Sequence, residues 1–451
     1  MEDFISKCRQ AAGYIGEWDR VTAIGHRDAD GICASAILKM GFKNKEVDIR
    51  IIRHSTDLEE LARQCKGTLP VFVDYGSSEI KNIEKAFDDF FILDHHPTRE
   101  EHPKMVNPWD HGIDGTRELS GAGVTYFVAK AYNSENTRLS NIALVGAMGD
   151  KMYLSGFKGP NKVILDDARE ENILNNGEER ERLMVSELPF HTEWISALDV
   201  ANIIDSCASV NRPEVAVDML LGDRDAYRTA MDIHNEYKNR YDSQMDAIRS
   251  SWEGIVADNS QHLAYFIYLP QTEPGFTGAL AEEIVLETPD KPVVIISKAP
   301  YGLKASGRST DEQIGKYGID LGRALSVASS RCGGKGGGHD VAAGATFDGS
   351  EIESFKSIAT LELFSQWRSR LKMIFEMEAE NEKRSSSLSS SLAVDNERYG
   401  STSSMAISLG NKIYIMVLSE DIGTFKNTVD DLIVCLTSSK DIVGLRTDIM
   451  E

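Results

Sequence analysis

Phe91-Ile92-Leu93-Asp94-His95-His96-Pro97 is the stretch from which the fold is read. An apolar run over 90–93 reads as a buried strand, and it ends abruptly in a carboxylate, two imidazoles and a proline. Polar groups just past the carboxyl end of a parallel strand sit where α/β sheets bind ligands. Aspartate with histidine is also a donor set for hard and borderline divalent metals. One such triplet is equally an ordinary polar strand end. The same arrangement recurs three more times by residue 150, and the recurrence carries the argument.

Around that strand the chain alternates. Residues 21–25, 47–52 and 69–73 read as short apolar strands, and 31–40, 58–65 and 79–87 read as helices. Strand and helix in alternation predict a mainly parallel sheet with helices on both faces. His26-Arg27-Asp28-Ala29-Asp30-Gly31 follows the first strand, Asp74-Tyr75-Gly76 the third and Asp94-His95-His96 the fourth. Asp150 ends a run of small and apolar residues, 142–149, typical of a buried helix. His26, Asp28 and Asp30 alternate by two, so an extended backbone would project all three to one side. Oxygen and nitrogen donors from four loops can bind two divalent cations that share a carboxylate. Strand-end aspartates also cap helices; capping explains one cluster, but not four in register.

These residues carry a family resemblance. His-x-Asp-x-Asp-Gly at 26–31, Asp74, Asp94-His95-His96 and Asp150 resemble, in order and approximate spacing, the four motifs of the DHH phosphoesterase superfamily. That superfamily includes the RecJ nucleases, nanoRNA and cyclic-dinucleotide phosphodiesterases, and a class of manganese pyrophosphatases. The resemblance implies His26, Asp28 and Asp74 on one metal, with Asp30, Asp74, His95 and Asp150 on the other and Asp74 as the bridge. It casts Asp94 and His96 as the catalytic pair, Asp94 orienting an imidazole from behind and His96 facing the scissile phosphate. No motif residue is missing, which argues for an active enzyme. Two cations about 3.5–4 Å apart can activate water and stabilise the attacking and leaving oxygens of an in-line displacement. A carboxylate-rich set suits Mn²⁺ or Mg²⁺, and the histidines tilt the choice toward Mn²⁺; no cysteine joins the set, which argues against zinc.

Downstream, Asn107-Pro108 and Asp114-Gly115 are turn chemistry. Ser120 reads as the N-cap of a helix carrying 124–132. The first-turn N–H groups of that helix could meet a phosphate, or the cap is simply a cap. This stretch is most similar to the archaeal branch of RecJ-like proteins.

The bounds set by length and composition agree. A chain of 451 residues holds two or three domains. Its 41% hydrophobic and 27% charged content is that of a globular protein. No run of about 18 apolar residues predicts a membrane span, and the amino-terminal residues lack the pattern of a signal peptide. Six scattered cysteines without a Cys-x-x-Cys pair fit reduced, mostly buried thiols in a cytoplasm. A net charge of -22 argues against non-specific coating of duplex nucleic acid. It leaves a local basic groove, or bound metal, to supply positive charge.

The expected architecture is α/β: a parallel-sheet DHH catalytic domain at 1–155, a helical connector at 156–260, a smaller α/β DHH-associated domain at 261–350, and an appended module at 351–451. The connector lacks strand-like alternation, and 225–256 reads as one long helix with a solvated charged face. His191 and His234 read as surface or packing residues. In the third segment, 263–269 and 292–297 read as strands and 320–329 as a helix. The run from Gly333 to Gly344 reads as a glycine-rich loop whose amides can approach an anion. An arginine on a facing strand would complete a phosphate clamp.

This segment resembles the DHH-associated substrate-binding domain, whose signature is Gly-Gly-Gly-His followed by Ala-Ala-Gly. The resemblance assigns substrate contacts to Arg308 and His339, with Gly337 and Gly338 in the loop, and counts against the pyrophosphatase branch. Lys298, Lys304, Arg308, Lys316, Arg323, Arg331 and Lys335 outnumber the acids nearby, which suits contacts to phosphate without base readout. Aromatic platforms for bases are thin, with only Tyr301 and Tyr317 standing out. In the last segment, 352–382 reads as a long helix and 385–391 as a serine-rich linker. After it, 405–409 and 412–418 read as a hairpin about Gly410-Asn411, and a helix follows over 424–436. The motif resemblance covers residues 20–350.

The function expected is therefore that of a two-metal phosphodiesterase, a RecJ-like exonuclease on single-stranded DNA or RNA, acting in replication, repair or RNA processing. Alternatives are a nanoRNase or cyclic-dinucleotide phosphodiesterase, and a replisome scaffold that associates with GINS. No membrane partner is expected.

Overall fold

Strands composed of Val, Ile, Leu, Phe and Ala are stable only when both faces are covered, which favours parallel pairing beneath helices. In the computed structural model, α1 (Glu2–Gly16) precedes β1 (Arg20–His26), α2 (Ala29–Gly41), β2 (Glu46–Ile52), α3 (Leu58–Gln64), β3 (Leu69–Val73), α4 (Ile80–Ala86), β4 (Phe91–Leu93) and β5 (Met105–Val106). The five strands pair in parallel in the order β2-β1-β3-β4-β5. Gly25 lies opposite Val73, and Val73 opposite Leu93, so the carboxyl ends of β1, β3 and β4 are neighbours. The strand order reverses at β1, and the crevice outside such a switch point is where open α/β sheets take ligands.

Residues 1–53, 56–98, 100–176, 183–288, 290–300, 302–393, 402–443 and 446–447 are described. The chain divides into two compact units, 1–239 and 240–451. In the first, α2, α5 (Gly121–Tyr132) and α6 (Ser140–Gly149) are buried on nearly every side. Small residues set their approach: a Cβ on Gly146 would lie 2.5 Å from Ala122 Cβ, and one on Gly149 would lie 2.7 Å from Ala29 Cβ. Beyond α7 (Gly159–Glu170), the expectation of a purely helical middle fails. β6 (Leu174–Asn176), β7 (Leu183–Val185) and β8 (Ile195–Ser196) form a small antiparallel sheet ahead of α8 (Ala197–Ser209) and α9 (Pro213–Leu220). These strands are two or three residues long, too short to show periodicity. Ile164, Val200, Ile204 and Met219 share one apolar core with the parallel sheet.

α10 (Arg224–Ser250) carries the chain into the second unit and stops at Ser251, where α11 (Trp252–Asp258) begins. The single helix expected over 225–256 is therefore two. Its charged face is partly committed, since Arg249 pairs with Glu283 at 2.7 Å and Glu287 at 2.5 Å. Next come β9 (Tyr265–Tyr268), α12 (Thr277–Glu287), β10 (Val293–Ala299), β11 (Gly302–Arg308), α13 (Asp311–Tyr317), α14 (Leu321–Arg331), β12 (Lys335–Gly338), β13 (Ala342–Phe347) and α15 (Ile352–Gln366). Their strands form a mixed sheet, β12-β13-β11-β10-β9, in which only β9 and β10 run parallel.

The tail departs from expectation twice. The helix expected over 352–382 ends at Gln366, and β14 (Leu371–Glu378) pairs along its whole length with β16 (Lys412–Ser419). Residues of good helical propensity become a strand because the tertiary pairing outweighs a preference of a few tenths of a kcal/mol per residue. The serine run expected as a linker lies in helix α16 (Glu382–Ala393), whose Leu388 and Leu392 enter a local core. Ser385 is fully buried there and donates to Gly410 O at 2.5 Å. The expected hairpin is present as β15 (Thr402–Leu409) and β16, followed by α17 (Ile422–Val443) and β17 (Arg446–Thr447) in a sheet ordered β15-β16-β14-β17.

All six cysteines are free, five of them buried. His234 bonds Ser206 Oγ at 2.9 Å and His191 lies against the Tyr227 ring, packing roles as expected. No helix among the described residues is long and apolar enough to cross a membrane.

Candidate metal centre

The first cluster is made by a tight reversal. A Cβ on Gly25 would lie 2.1 Å from Ser35 Oγ, and one on Gly31 would lie 2.4 Å from His26 O. Only glycine lets β1 turn this closely into α2. Asp28 becomes the N-cap of α2, accepting from Gly31 N at 3.1 Å, and Asp30 sits in the first helical turn. The expected extended 26–30 stretch is therefore corrected to strand, cap and helix; the three side chains share the crevice because the chain turns. His26 Nδ1 lies 2.6 Å from Asp28 Oδ2.

Asp74 immediately follows β3 with φ 55, the left-handed region that costs a non-glycine residue about 1 kcal/mol or more. Its carboxylate is 2% exposed. Oδ2 lies 4.0 Å from His26 Nδ1 and Oδ1 lies 3.2 Å from His95 Nε2, yet Oδ1 makes no hydrogen bond among the described residues. A buried acceptor without a donor costs roughly 1–3 kcal/mol.

Asp94, at the end of β4, is the opposite case, fully satisfied. Its carboxylate accepts from Ser77 N (2.8 Å), His95 N (2.8 Å) and His96 N (3.3 Å), and His96 Nδ1 lies 2.8 Å away. His95 Nδ1 faces Gly115 O at 2.7 Å. A carbonyl only accepts, so Nδ1 carries the proton and Nε2 is turned toward carboxylates. Asp74 Oδ1, Asp150 Oδ2 and Asp30 Oδ2 lie 3.2, 3.4 and 3.9 Å from it.

Asp30 accepts from Gly121 N at 2.5 Å and Ala122 N at 3.1 Å, while Ser120 Oγ accepts from Gly123 N. The Ser120 cap is as expected, but the first amides of α5 are taken by Asp30 and are not open to a phosphate. Gly121 itself was not singled out from the sequence. A Cβ there would lie 2.6 Å from Asp74 Cβ and 2.9 Å from Asp30 Oδ2.

Burial is the largest influence on each acid. Burial and repulsion from Asp28, Asp30 and Asp150 push Asp74 well above the ordinary carboxylate range. Burial and Asp30 push Asp150 up to about 8, and burial raises Asp30 too. Asp28 and Asp94 resist the same burial because His26 and His96 hold them below the ordinary value. Burial opposes charge on His95 and His96, but Asp150 lifts the first and Asp94 the second, each to about 9. Three carboxylates here resist ionising together, a surplus of negative charge that a divalent cation relieves by displacing protons.

Donor atoms of His26, Asp28 and Asp74 lie within 4.8 Å of one another, as do those of Asp30, His95 and Asp150, and those of Asp74, Asp94, His95 and His96. Every residue singled out in the first unit is thus gathered at one crevice. The unsatisfied Asp74 oxygen and the donor chemistry fit divalent cations.

Asp205 of α8 also reaches this crevice, and no sequence motif marks it. Its Oδ1 accepts from Ala29 N at 2.8 Å, and burial with Asp28 nearby pushes it up to about 7. An aspartate within an amphipathic helix, 176 positions from its partner, leaves no signal in spacing.

In the second unit the glycine-rich stretch is largely strand rather than loop. Gly336 packs beneath α14, where a Cβ would lie 2.6 Å from Ser329 Oγ. Gly338, at φ 135, starts the turn back to β13, closed by His339 N donating to Ala342 O at 2.8 Å. Arg308 lies opposite Ala342, and Gly338 opposite Ala343, so Arg308, Gly337, Gly338 and His339 share one end of the sheet. His339 is exposed; Arg308 is half-buried. Lys304 donates to Pro274 O and Arg323 pairs with Glu362, so these two cations are already engaged. Tyr301 lies outside the described residues; Tyr317 stacks on Trp367.

Residues 20–149 match the DHH family, N-terminal domain, and residues 262–363 match the DHHA1 domain. An uncharacterized protein of Methanocaldococcus jannaschii is 23% identical over 418 residues, spanning 76% of this chain and 92% of that one. The fold resembles RecJ from Thermus thermophilus in complex with Mn²⁺, at TM-score 0.60 and 20% identity over 79% of this chain and 54% of that chain. The same protein in complex with Mg²⁺ gives 0.56 and 16%, over 91% and 67%. The chain thus spans little more than half of the first of these structures. CDC45 from Entamoeba histolytica gives 0.52 and 11%, over 80% and 98%. The chain belongs to the DHH phosphoesterase superfamily, metal-dependent phosphoesterases that use divalent cations, and has a RecJ-like fold.

Proposed function

We propose that this protein is a two-metal phosphodiesterase that degrades single-stranded DNA or RNA from one end, with Mn²⁺ as its preferred ion. The observation that carries the reading is the buried Asp74 oxygen without a hydrogen bond, set between the His26–Asp28 and Asp30–His95–Asp150 donors. In this reading His26, Asp28 and Asp74 would hold one cation and Asp30, Asp74, His95 and Asp150 the other, with the Asp74 carboxylate common to both sets. Such a pair supplies charge neutralisation and an activated water for in-line phosphoryl displacement.

The chain's own groups do the rest. Gly115 O fixes the His95 tautomer, and the Gly121 and Ala122 amides hold the Asp30 carboxylate. Asp94 anchors His96, whose side chain is 48% exposed and so can meet a phosphate. Arg308 and His339, with Gly337 and Gly338, are assigned to grip the strand's phosphates. The mixed carboxylate and imidazole donors favour Mn²⁺ over Mg²⁺.

A second reading, implied by the family resemblance, is a replisome scaffold that associates with GINS; the likeness to CDC45 supports it in fold alone. Single-stranded DNA and RNA oligonucleotides, labelled separately at each end and incubated with Mn²⁺, separate the readings. A ladder shrinking from one end is expected. Cleavage confined to dinucleotides would replace the exonuclease by a small-substrate phosphodiesterase. Bound metal without cleavage would leave the scaffold.

A further inference from the structure

The second unit holds a cleft of about 900 Å³ between the end of α13, the segment leading from α15 into β14, and the start of β15. None of Arg308, Gly337, Gly338 and His339 lines it. Five basic side chains do, Lys291, Lys316, Arg368, Arg370 and Lys372, against only Asp290 and Glu420. In a chain of net charge -22 that is a local reversal of sign.

Both acids are occupied by neutral donors. Asp290 accepts from the Tyr265 hydroxyl at 2.7 Å, and Glu420 from Ser369 Oγ and Arg370 N, both at 3.2 Å. Arg368, Arg370 and Lys372 form no ion pair among the described residues. Two of them are nonetheless restrained, Arg368 Nη1 donating to Gly315 O at 3.3 Å and Lys372 Nζ to Ser365 O at 2.9 Å. Three cations along one short segment, two of them anchored and Arg370 exposed between them, present a site for an anion that repeats along a chain.

The cleft also has an aromatic wall. Tyr317 and Trp367 stack with centroids 4.1 Å apart at 25°, so the indole is held rigidly at the edge of the cationic row. A carboxylate ligand needs only the cations, whereas a base needs a flat partner beside them. Cationic grooves with aromatic platforms are how single strands are bound without sequence preference. The sheet register adds a route. Val293 lies opposite Arg308 and Tyr265 opposite Val293. The segments at 291 and 263 that line the cleft therefore lead off the same sheet end as Arg308, the first from the adjacent strand, ~5 Å away, and the second from the next, ~10 Å away.

We propose that this cleft is a second nucleic-acid site, binding the phosphates of a single strand on Arg368, Arg370 and Lys372 and a base against Trp367. It takes the length of strand beyond the part gripped at Arg308 and His339, and for the nature of the strand it rests on the nuclease reading.

The test uses the full chain in EDTA, with fluorescent oligothymidylate as a trinucleotide and as a longer strand, read by anisotropy. Arg370→Glu with Lys372→Glu is expected to lower affinity for the longer strand about tenfold or more. The slope of log Kd on log salt should shrink by about 0.7 per lost phosphate contact. The trinucleotide should lose little. Should the double reversal misfold, Arg370→Gln and Lys372→Gln, each at an exposed position, are expected to weaken long-strand binding severalfold singly. Affinity equal to the parent in all these variants overturns the proposal. So does displacement of the strand by polyglutamate of matched charge at equal concentration, which would make the cleft an acidic-peptide site. A parent protein that binds the long strand through these residues but cleaves nothing with Mn²⁺ overturns the nuclease reading and supports the cleft.

Discussion

Asp74 is strained in its backbone, buried, repelled by three carboxylates and short of a hydrogen bond. Each of these costs stability, and together they mark a position kept for binding rather than folding. Asp74→Asn should therefore raise the metal-free melting temperature, by about 2–4 °C per kcal/mol recovered. It should also abolish both hydrolysis and the rise in Tm on adding Mn²⁺. Retained turnover would remove the bridging assignment. Gly121→Ala tests the cradle around the same carboxylates, because the added carbon would overlap Asp74. Its Mn²⁺ affinity by calorimetry should fall at least about tenfold, the usual effect of disturbing groups behind metal ligands, with the circular dichroism of the parent. His339→Ala should raise the Kd for an oligonucleotide while leaving Mn²⁺ affinity as it is; a collapse of metal affinity would refute its assignment to substrate.

Helix α16 shows how a low-complexity run becomes structure. Leu388 and Leu392, four apart, face a core with Met377, Ile413 and Ile415, while the hydroxyls of Ser390 and Ser391 donate to carbonyls four residues back. Leu388→Ala should cost about 2–4 kcal/mol, read as a lower denaturant midpoint for the second unit. A flexible linker would lose nothing. β14 makes the same point in the other direction. Nothing in its residues opposes a helix, and only pairing with β16 reveals the strand.

Stability of the whole chain should respond to pH through a group far along the sequence from the metal motifs. Burial, with Lys356 and Lys291 nearby, pushes His262 down to about 3, and its Nδ1 faces Thr360 Oγ1 at 2.9 Å. The unfolded histidine takes a proton near pH 6.5, while the folded one stays neutral to about 3. Between these values the unfolded state binds more protons, so stability is lost as pH falls, by up to about 1.4 kcal/mol per unit. Urea unfolding of the parent and His262→Gln at pH 7 and pH 5 should show the parent losing more. Parallel losses would refute the linkage.

What could be read without coordinates was local chemistry. Apolar runs closed by Asp or His at 26, 74 and 94 declare buried strands with polar carboxyl ends, and the alternation around them declares a parallel sheet. Glycine at 410 with asparagine at 411 declares a hairpin. Such signals survive because they depend on neighbours within a few residues. Tertiary structure decided everything that joins distant positions. It made Asp30 the partner of the α5 amides, 91 and 92 residues away, and Asp205 the partner of Ala29. It turned 371–378 into a strand and lined a basic cleft from segments at 291, 316 and 368–372. A hydrogen bond or a packed face is a property of two segments at once, and neither segment's residues carry the identity of the other.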